Sequence, residues 1–396
     1  MNLSFNFARI PHTLFGVNKI DKIGEIISTY GKKILLVTGK SSLVTSGDYK
    51  KITNILNERD ISFSRIIIDK EPSPKLINDS VARYKDKNIN VVLSVGGGSV
   101  LDAGKAISAM ILEKNPVEDY LEGVGNKTHS GKKVPFVAVP TTAGTGSEAT
   151  KNAVISDIQR GFKKSLRHDN FIPDYAIIDP NLMISCPSQI TGACGMDAFT
   201  QLVESYLSTK ANPMTDALAF SGIKLMIKNL VHAAKDKSND VDTRAAVAYA
   251  AYISGITLAN VGLGTIHGFA SAIGGYFDIP HGVVCGTLMA DGNKITVEIL
   301  NKMENKPDKM IALKKYAKLG AILEDKYDVS NDKIDHYCNL FIEKLYQMNE
   351  ELKIKKLSDY GVKEEDLDNI ISKASNKNNP APFSTDDMRR LLKSRL

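Results

Sequence analysis

NVVLSVGGGSVLDAGK, residues 90–105, is the most informative stretch of this sequence. Its first six residues form a short apolar run that predicts a buried β-strand, and three consecutive glycines follow directly. The segment from Leu101 to Leu112 then predicts a helix. Glycines between a strand and a helix N-terminus let backbone N–H groups approach a phosphate closely. We therefore expect an anion site here, although the dinucleotide pattern GxGxxG fails at Leu101.

Further strand and helix signals alternate through the first half of the chain. The other predicted strands are Lys33–Thr38, Ser64–Asp69, Pro135–Val139 and Tyr175–Ile178. Amphipathic stretches such as Asn78–Lys87 lie between several of them, which predicts a parallel sheet covered by helices on both faces.

After about Pro187 the strand signals fade and long helical patterns take over. The predicted helices are Gly195–Leu207, Pro213–Ala234, Val241–Asn260, Asp308–Leu323 and Ile334–Leu352. We therefore predict an α/β nucleotide-binding domain over residues 1–185 and an all-helical domain over residues 186–396.

Composition excludes several classes of protein. The 396 residues are 43% hydrophobic and 24% charged, as in globular proteins rather than disordered or fibrous ones. The formal charge of +6 is small and dispersed, which argues against a nucleic-acid partner. Residues 245–277 carry no charge but are broken by glycines, which predicts buried helices rather than a membrane span. The four cysteines are widely spaced, which predicts reduced thiols and a cytoplasmic location.

A second glycine-rich loop, PTTAGTGSE at residues 140–148, follows the predicted strand 135–139. Its hydroxyl and N–H groups are suited to hold another part of a nucleotide. Both loops follow strands of the same predicted parallel sheet. They therefore fit the ligand crevice that such sheets form at their carboxyl edge.

A third group of residues carries metal-ligand chemistry. Asp197, Gln201 and Glu204 recur at i, i+4 and i+7, so they share one face of a predicted helix. His267 and His281 follow in glycine-flanked settings. One carboxylate and two imidazoles are a plausible divalent-metal site, although each histidine taken singly is more typical of a hydrogen-bonded core position than of a ligand.

Six motifs in this order resemble the iron-containing (group III) alcohol dehydrogenase family: GGGSVLDAGK, VPTTAGTGSEAT, IIDPNLM, GMDAFTQLVESY, GLGTIHGFA and IPHGVVCG. The resemblance runs nearly from end to end. It implies a dehydroquinate synthase-like fold with a cofactor and a divalent metal in the cleft between two domains. It also implies NAD(P)-dependent interconversion of a small alcohol with an aldehyde or ketone, by a homodimer.

The resemblance implies a metal and catalytic site with two departures from the family pattern. Asp197, His267 and His281 match family ligands and are the expected catalytic residues. Gln201 stands where the family has a fourth ligand, a histidine, and Ser271 stands where it tends to have a proton-carrying histidine. We expect Asp197, Gln201, His267 and His281 to hold Fe²⁺ or another divalent ion such as Zn²⁺.

The glycine loops and the resemblance together imply the cofactor site. The expected contacts are Gly39, Lys40, Ser41, Gly96, Gly97, Gly98, Ser99, Asp102, Thr141, Thr142, Thr145, Ser147 and Leu182. We favour NADP over NAD. Gly39 lacks the carboxylate that repels a 2′-phosphate, Lys40 adds a positive charge, and Ser41 adds a donor.

Three other functions remain compatible with the sequence. A metal-independent reductase of the maleylacetate reductase type fits the missing ligand. A lyase or synthase of the dehydroquinate-synthase-like superfold would need additional basic residues for a phosphate-bearing substrate, which the sequence does not identify. A non-catalytic nucleotide sensor would not need Asp197, His267 and His281.

Overall fold

The computed structural model describes residues 4–304 and 307–396, so the first three residues of the predicted N-terminal domain lie outside it. Six strands form one parallel sheet in the order β1-β8-β5-β4-β2-β3. They are β1 (His12–Phe15), β2 (Lys33–Gly39), β3 (Ser62–Ile68), β4 (Val91–Gly96), β5 (Phe136–Pro140) and β8 (Tyr175–Ile178). The parallel sheet is thus confirmed, and the predicted strands lie within two residues of the observed ones.

Alternating side chains of the central strands supply two separate apolar layers. Leu35 and Val92 point to one face, whereas Leu36 and Leu93 point to the other. Each layer is closed by helices of the same half, α1 (Ile23–Tyr30), α2 (Ser42–Thr45), α3 (Asp48–Asn57), α4 (Pro74–Tyr84) and α5 (Gly98–Met110). This double cover explains why the strands read as continuous apolar runs.

Two features of this half were not predicted from the sequence. Edge strand β1 is only four residues long and pairs with β8 in parallel register. An antiparallel hairpin joins β6 (Asn152–Asp157) to β7 (Phe162–Arg167) outside the main sheet. The sequence FKKSLR of β7 is too polar to give an apolar strand signal.

The second half consists of helices. They are α6 (Ser188–Leu207), α7 (Pro213–Ala234), α8 (Val241–Val261), α9 (Thr265–Ile273), α10 (His281–Lys302), α11 (Pro307–Ala321), α12 (Ile334–Glu351), α13 (Leu367–Lys373) and α14 (Thr385–Lys393). Helix α7 begins at the predicted residue, where Asn212 forms a capping box with Thr215.

Helix α6 begins at Ser188, seven residues before the prediction. Its first two turns are rich in small and polar residues and therefore give little apolar periodicity. They are helical because they pack closely on a neighbour. A Cβ atom at Gly195 would lie 2.0 Å from Cδ1 of Leu230 in α7.

None of the described helices is by itself long and apolar enough to cross a bilayer. Helices α8 and α9 reach that length and hydropathy only when taken together, and they are bent by 97° relative to each other.

Candidate active site

The glycine turn of residues 96–98 lies at the end of β4, at the point in the sheet where successive strands are added on opposite sides of β2. Strand β2 is followed by β3 on one side, whereas β4 lies on its other side, so β2 and β4 flank the switch point. Thr38 pairs with Val95, which places the next residues, Gly39 and Gly96, side by side at the carboxyl edge. Open α/β sheets bind ligands at this position.

Glycine is required around this turn for two different reasons. Cβ atoms at Gly96 and Gly98 would lie only 2.7 Å from Val100 and 2.6 Å from Thr145. A Cβ atom at Gly97 would approach only Thr142, with its Oγ1 at 3.3 Å. Gly96 and Gly98 therefore serve packing, whereas Thr142 is the one close neighbour that a side chain at position 97 would meet among the described residues.

Arg65 is a feature of this edge that the sequence analysis missed. It lies on β3, donates from Nη2 to the Gly39 carbonyl at 3.1 Å, and stacks on Tyr49. The neighbouring Lys40 and Ser41 are exposed. An arginine and a lysine thus flank the end of β2. No sequence motif reveals this position of Arg65, because it is the pairing of β3 with β2 that brings Arg65 beside Gly39.

Asp102 and Lys105 tie the two glycine-rich loops together. Asp102 accepts from Ser147 Oγ at 2.5 Å and from the Val154 backbone N–H at 3.0 Å. The buried Lys105 ammonium donates to the Ser147 carbonyl and to Thr150 Oγ1, both at 2.8 Å. Both carboxylate oxygens of Asp102 therefore have protein partners, which favours a positioning role over direct cofactor contact.

A cavity of about 210 Å³ connects the first turn of α5 to the helical half. Predicted residues on its wall are Gly98, Ser99, Asp102, Thr145, Ser147, Asp197, Gln201, His267 and His281, and Ser271 also lines it. Gly39, Lys40, Ser41, Gly96, Gly97, Thr141 and Thr142 lie outside it, at or near the carboxyl edge of the sheet. Leu182 is buried in the apolar layer with Val139 and Ile177, so the structure gives it a packing position.

Four metal-ligating side chains converge at the helical end of this cavity. Asp197, His267, His281 and Cys285 each place one ligand atom within 4.8 Å of the others. Oδ1 of Asp197 lies 3.1 Å from Nε2 of His267 and 3.8 Å from Nε2 of His281. Cys285 was not predicted; it follows His281 by four residues on α10, so the helical period is the signal that would have found it.

Glu204 holds the ring of His267 in a defined orientation. Its Oε2 lies 2.6 Å from Nδ1 of His267, and its Oε1 accepts from the Ile266 N–H at 2.7 Å. This bond assigns a proton to Nδ1 and fixes the ring so that Nε2 faces Asp197, as in metal sites where a carboxylate orients the histidine. By contrast, Nδ1 of His281 is buried with no partner among the described residues.

Gln201 lies beside the cluster with its amide engaged on both sides. Its Nε2 donates to Asp197 Oδ1 at 3.2 Å, and its Oε1 accepts from Ser254 Oγ at 2.8 Å. In this orientation the amide presents hydrogen, rather than oxygen, to the centre of the cluster.

Burial and mutual charge shape the titration of these groups. Burial lowers the pKa of His281 to about 3, so its ring is neutral and one of its two nitrogens has a free lone pair. Burial raises the pKa of Cys285 to about 11. Although burial alone would raise it, His281 and His267 hold the pKa of Asp197 below its ordinary value. The cluster therefore combines an ionised carboxylate with a neutral imidazole, which suits a divalent cation.

Comparisons with known proteins agree along the whole chain. The family model for iron-containing alcohol dehydrogenase matches residues 11–180. The model for the Fe-containing alcohol dehydrogenase family, C-terminal, matches residues 191–396.

Individual relatives give the same result. Alcohol dehydrogenase 4 of Saccharomyces cerevisiae is 30% identical, covering 97% of this chain and 96% of the relative. NAD-dependent methanol dehydrogenase of Bacillus methanolicus is 29% identical, covering 99% and 100%. The solved structure of alcohol dehydrogenase from Oenococcus oeni superimposes with a TM-score of 0.88 at 28% identity, covering 99% of this chain and 100% of that one.

Proposed function

The chain belongs to the iron-containing alcohol dehydrogenase family, and we propose that Asp197, His267 and His281 hold its catalytic divalent ion. We also propose that Gly97 and the first turn of α5 bind the pyrophosphate of NADP(H). The protein is an oxidoreductase that interconverts a small alcohol with an aldehyde or ketone, using a nicotinamide cofactor. The observation that carries the site assignment is the single cavity joining Ser99 to His267.

The residues present fit a divalent ion. The donor set contains a carboxylate, two imidazoles and a thiol, with Nε2 of His267 aimed inward by Glu204. They also fit a dinucleotide. Residue 97 leaves its backbone accessible, and the N-terminus of the 13-residue helix α5 attracts anions.

The bound ion would acidify an alcohol or polarise a carbonyl, and the nicotinamide would exchange the hydride. The chain's own contribution is positioning. Glu204 holds His267 in one tautomer, and Asp197 supplies negative charge at the buried end of the cavity. Ser147 and Asp102 fix the cavity wall between cofactor loop and metal cluster.

Proton exchange at this site cannot use a histidine at position 271. Ser271 Oγ donates to the His267 carbonyl at 2.8 Å, and Lys377 Nζ donates to the same oxygen at 2.9 Å. Both residues line the cavity. We therefore route the alcohol proton through water beside Ser271 or through cofactor ribose hydroxyls.

The preference for NADP(H) is supported by the charges at the end of β2. Gly39 presents no carboxylate there, Lys40 is exposed, and Arg65 lies against the Gly39 carbonyl. An arginine near the ribose accommodates a 2′-phosphate, whereas an acid would repel it.

We also propose a domain division, a cellular location and an oligomeric state for this chain. We divide the chain into a cofactor domain of residues 1–185 and a metal and substrate domain of residues 186–396, because the last sheet strand ends at Ile178 and α6 begins at Ser188. All four cysteines are free thiols, which supports a cytoplasmic location. A homodimer follows the family pattern, and light scattering of the purified protein tests it.

The decisive experiment combines elemental analysis with kinetics. Purified protein is expected to contain one divalent ion per chain and to oxidise NADPH with short aldehydes, losing activity after chelation and regaining it when the ion is restored. Full activity in exhaustively chelated, metal-free protein would contradict the metal assignment and favour a metal-independent reductase.

A further inference from the structure

We propose that Cys285 is a metal ligand, its thiolate replacing the imidazole that Gln201 does not supply. This inference rests on the proposed function, because it concerns the ion that Asp197, His267 and His281 are proposed to hold. It changes the donor set to one carboxylate, two imidazoles and one thiolate.

Three of the distances among the four ligand atoms are close to those expected around one shared ion. Metal–nitrogen bonds of about 2.0–2.1 Å and metal–sulfur bonds of about 2.3 Å place adjacent ligand atoms about 3.3–3.6 Å apart. Cys285 Sγ lies 3.5 Å from Nε2 of His267, and the two Asp197–histidine distances are 3.1 and 3.8 Å. Shifts of a few tenths of an ångström would bring these three pairs to ligand spacing, and all four ligand atoms lie within 4.8 Å of one another.

Helix geometry provides the replacement. In the family pattern, a second ligand follows Asp197 by four residues on the same helix face. Here that relationship recurs on α10, where Cys285 follows His281 by four residues and reaches the same centre. In this chain the two ligands one helical turn apart lie on α10, whereas the family pattern places such a pair on the helix that corresponds to α6.

Gln201 is poorly placed to serve instead. Its amide oxygen accepts the Ser254 hydroxyl, and its amide hydrogens face Asp197. An amide is also a weak ligand for these ions compared with a thiolate. Gln201 therefore supports Asp197 by hydrogen bonding, and Cys285, fully buried at the cluster, completes the set.

A thiolate makes the site softer than one built from carboxylate and imidazoles alone. Soft sulfur ligands favour Zn²⁺ and other thiophilic ions over Mn²⁺ or Mg²⁺. We therefore expect Zn²⁺ to bind more tightly than Mn²⁺, and Cys285→Ser to reduce that selectivity at least tenfold.

Cobalt substitution of the full-length apoprotein tests the inference. Co²⁺ in the wild type is expected to show visible d–d bands and a near-ultraviolet sulfur-to-cobalt charge-transfer band. Cys285→Ser should lose the charge-transfer band but keep visible bands. Cys338→Ser, which replaces an equally buried thiol on α12 away from the cluster, should keep both.

Each outcome has a distinct meaning. Visible bands without charge transfer in the wild type would overturn the thiolate ligand while leaving the metal site intact. Failure to bind stoichiometric Co²⁺ would overturn the metal site of the proposed function and this inference with it. X-ray absorption of the wild-type zinc protein needs no variant. One sulfur at about 2.3 Å supports the proposal, and a shell of nitrogen and oxygen alone refutes it.

Discussion

Nδ1 of His267 lies 2.6 Å from Oε2 of Glu204, and both side chains are buried where α9 meets α6. The bond spans 63 positions of the chain and selects which ring nitrogen faces Asp197. Burial alone would lower the pKa of His267, but the neighbouring Cys285 and Glu204 side chains and the hydrogen bond with Asp197 raise it well above its ordinary value. Glu204 is therefore a positioning residue for the cluster.

The variant Glu204→Gln tests this role. An amide of the same shape removes the negative charge that orients the imidazole and makes its ligating nitrogen more basic. We therefore expect the affinity for Zn²⁺ to fall about 10–100-fold. Titration with a competing chelator measures the change. Glu350→Gln, an exposed carboxylate on α12, is the control and should leave the affinity unaltered. Equal affinities in the two variants would show that Glu204 does not support the metal ligands.

Gly97→Val tests the pyrophosphate site. The added side chain would enter the space beside Thr142 above the first turn of α5. We expect the Kd for NADPH, measured by fluorescence, to rise at least about tenfold, or about 1.4 kcal/mol. Zn²⁺ affinity and Tm serve as internal controls and should remain near wild-type values. An unchanged Kd for NADPH would place the pyrophosphate elsewhere.

Gln201→His restores the side chain that the family pattern has after Asp197. An imidazole donates to these ions better than an amide, so we expect Zn²⁺ to bind about tenfold more tightly. The control variant is Gln347→His, which adds a histidine at an exposed position on α12 outside the cluster. Weaker binding in Gln201→His would mean that the Ser254 hydrogen bond matters more than the added ligand.

Gly39→Asp tests cofactor selection at the end of β2. The carboxylate would repel a 2′-phosphate and accept from a 2′-hydroxyl, so the ratio of kcat/KM for NADPH over NADH should fall at least about tenfold. Gly39→Asn has almost the same size without the charge and should lower the ratio less. If the wild type prefers NADH, or if neither variant changes the ratio of kcat/KM for the two cofactors, this loop does not recognise the 2′ position of the ribose.

Glu148 makes stability depend on pH. Burial raises the pKa of Glu148 from 4.5 to about 7, so between these values the folded chain holds a proton that the unfolded chain releases. This group's contribution is therefore fully present below pH 4.5 and is lost as pH rises to about 7. In Glu148→Gln the loss is absent, so its Tm relative to wild type should rise by about 2–5 °C between pH 5 and pH 7.5. A constant difference across that range would contradict the raised pKa, and Glu350→Gln provides the baseline.

The fold was largely predictable from local patterns. Four strands of the sheet, β2, β4, β5 and β8, are largely buried and give apolar runs in the sequence, and the capping box at Asn212 marks a helix start directly. The elements that were not predicted lack such local patterns. Strand β1 is too short, β7 is too polar, and the first turns of α6 are too rich in small residues to show a period.

Parts of the site were also predictable. The shared helix face of Asp197, Gln201 and Glu204 follows from the 3.6-residue period, and the structure brings all three to one centre. Leu182 lies within a matching motif and its side chain packs in the apolar layer, so its contact with the cofactor stays a prediction.

The sequence by itself determined the alternation of buried strands with helices and the position of the two glycine-rich loops, because both depend on neighbours along the chain. It also supplied the residue types available to bind a metal. Tertiary structure alone decided that Cys285 joins Asp197 and the histidines, that Glu204 orients His267, and that Arg65 lies against Gly39. These contacts join different helices or strands. Their distances are therefore set by how helices pack and strands pair, which no local pattern records.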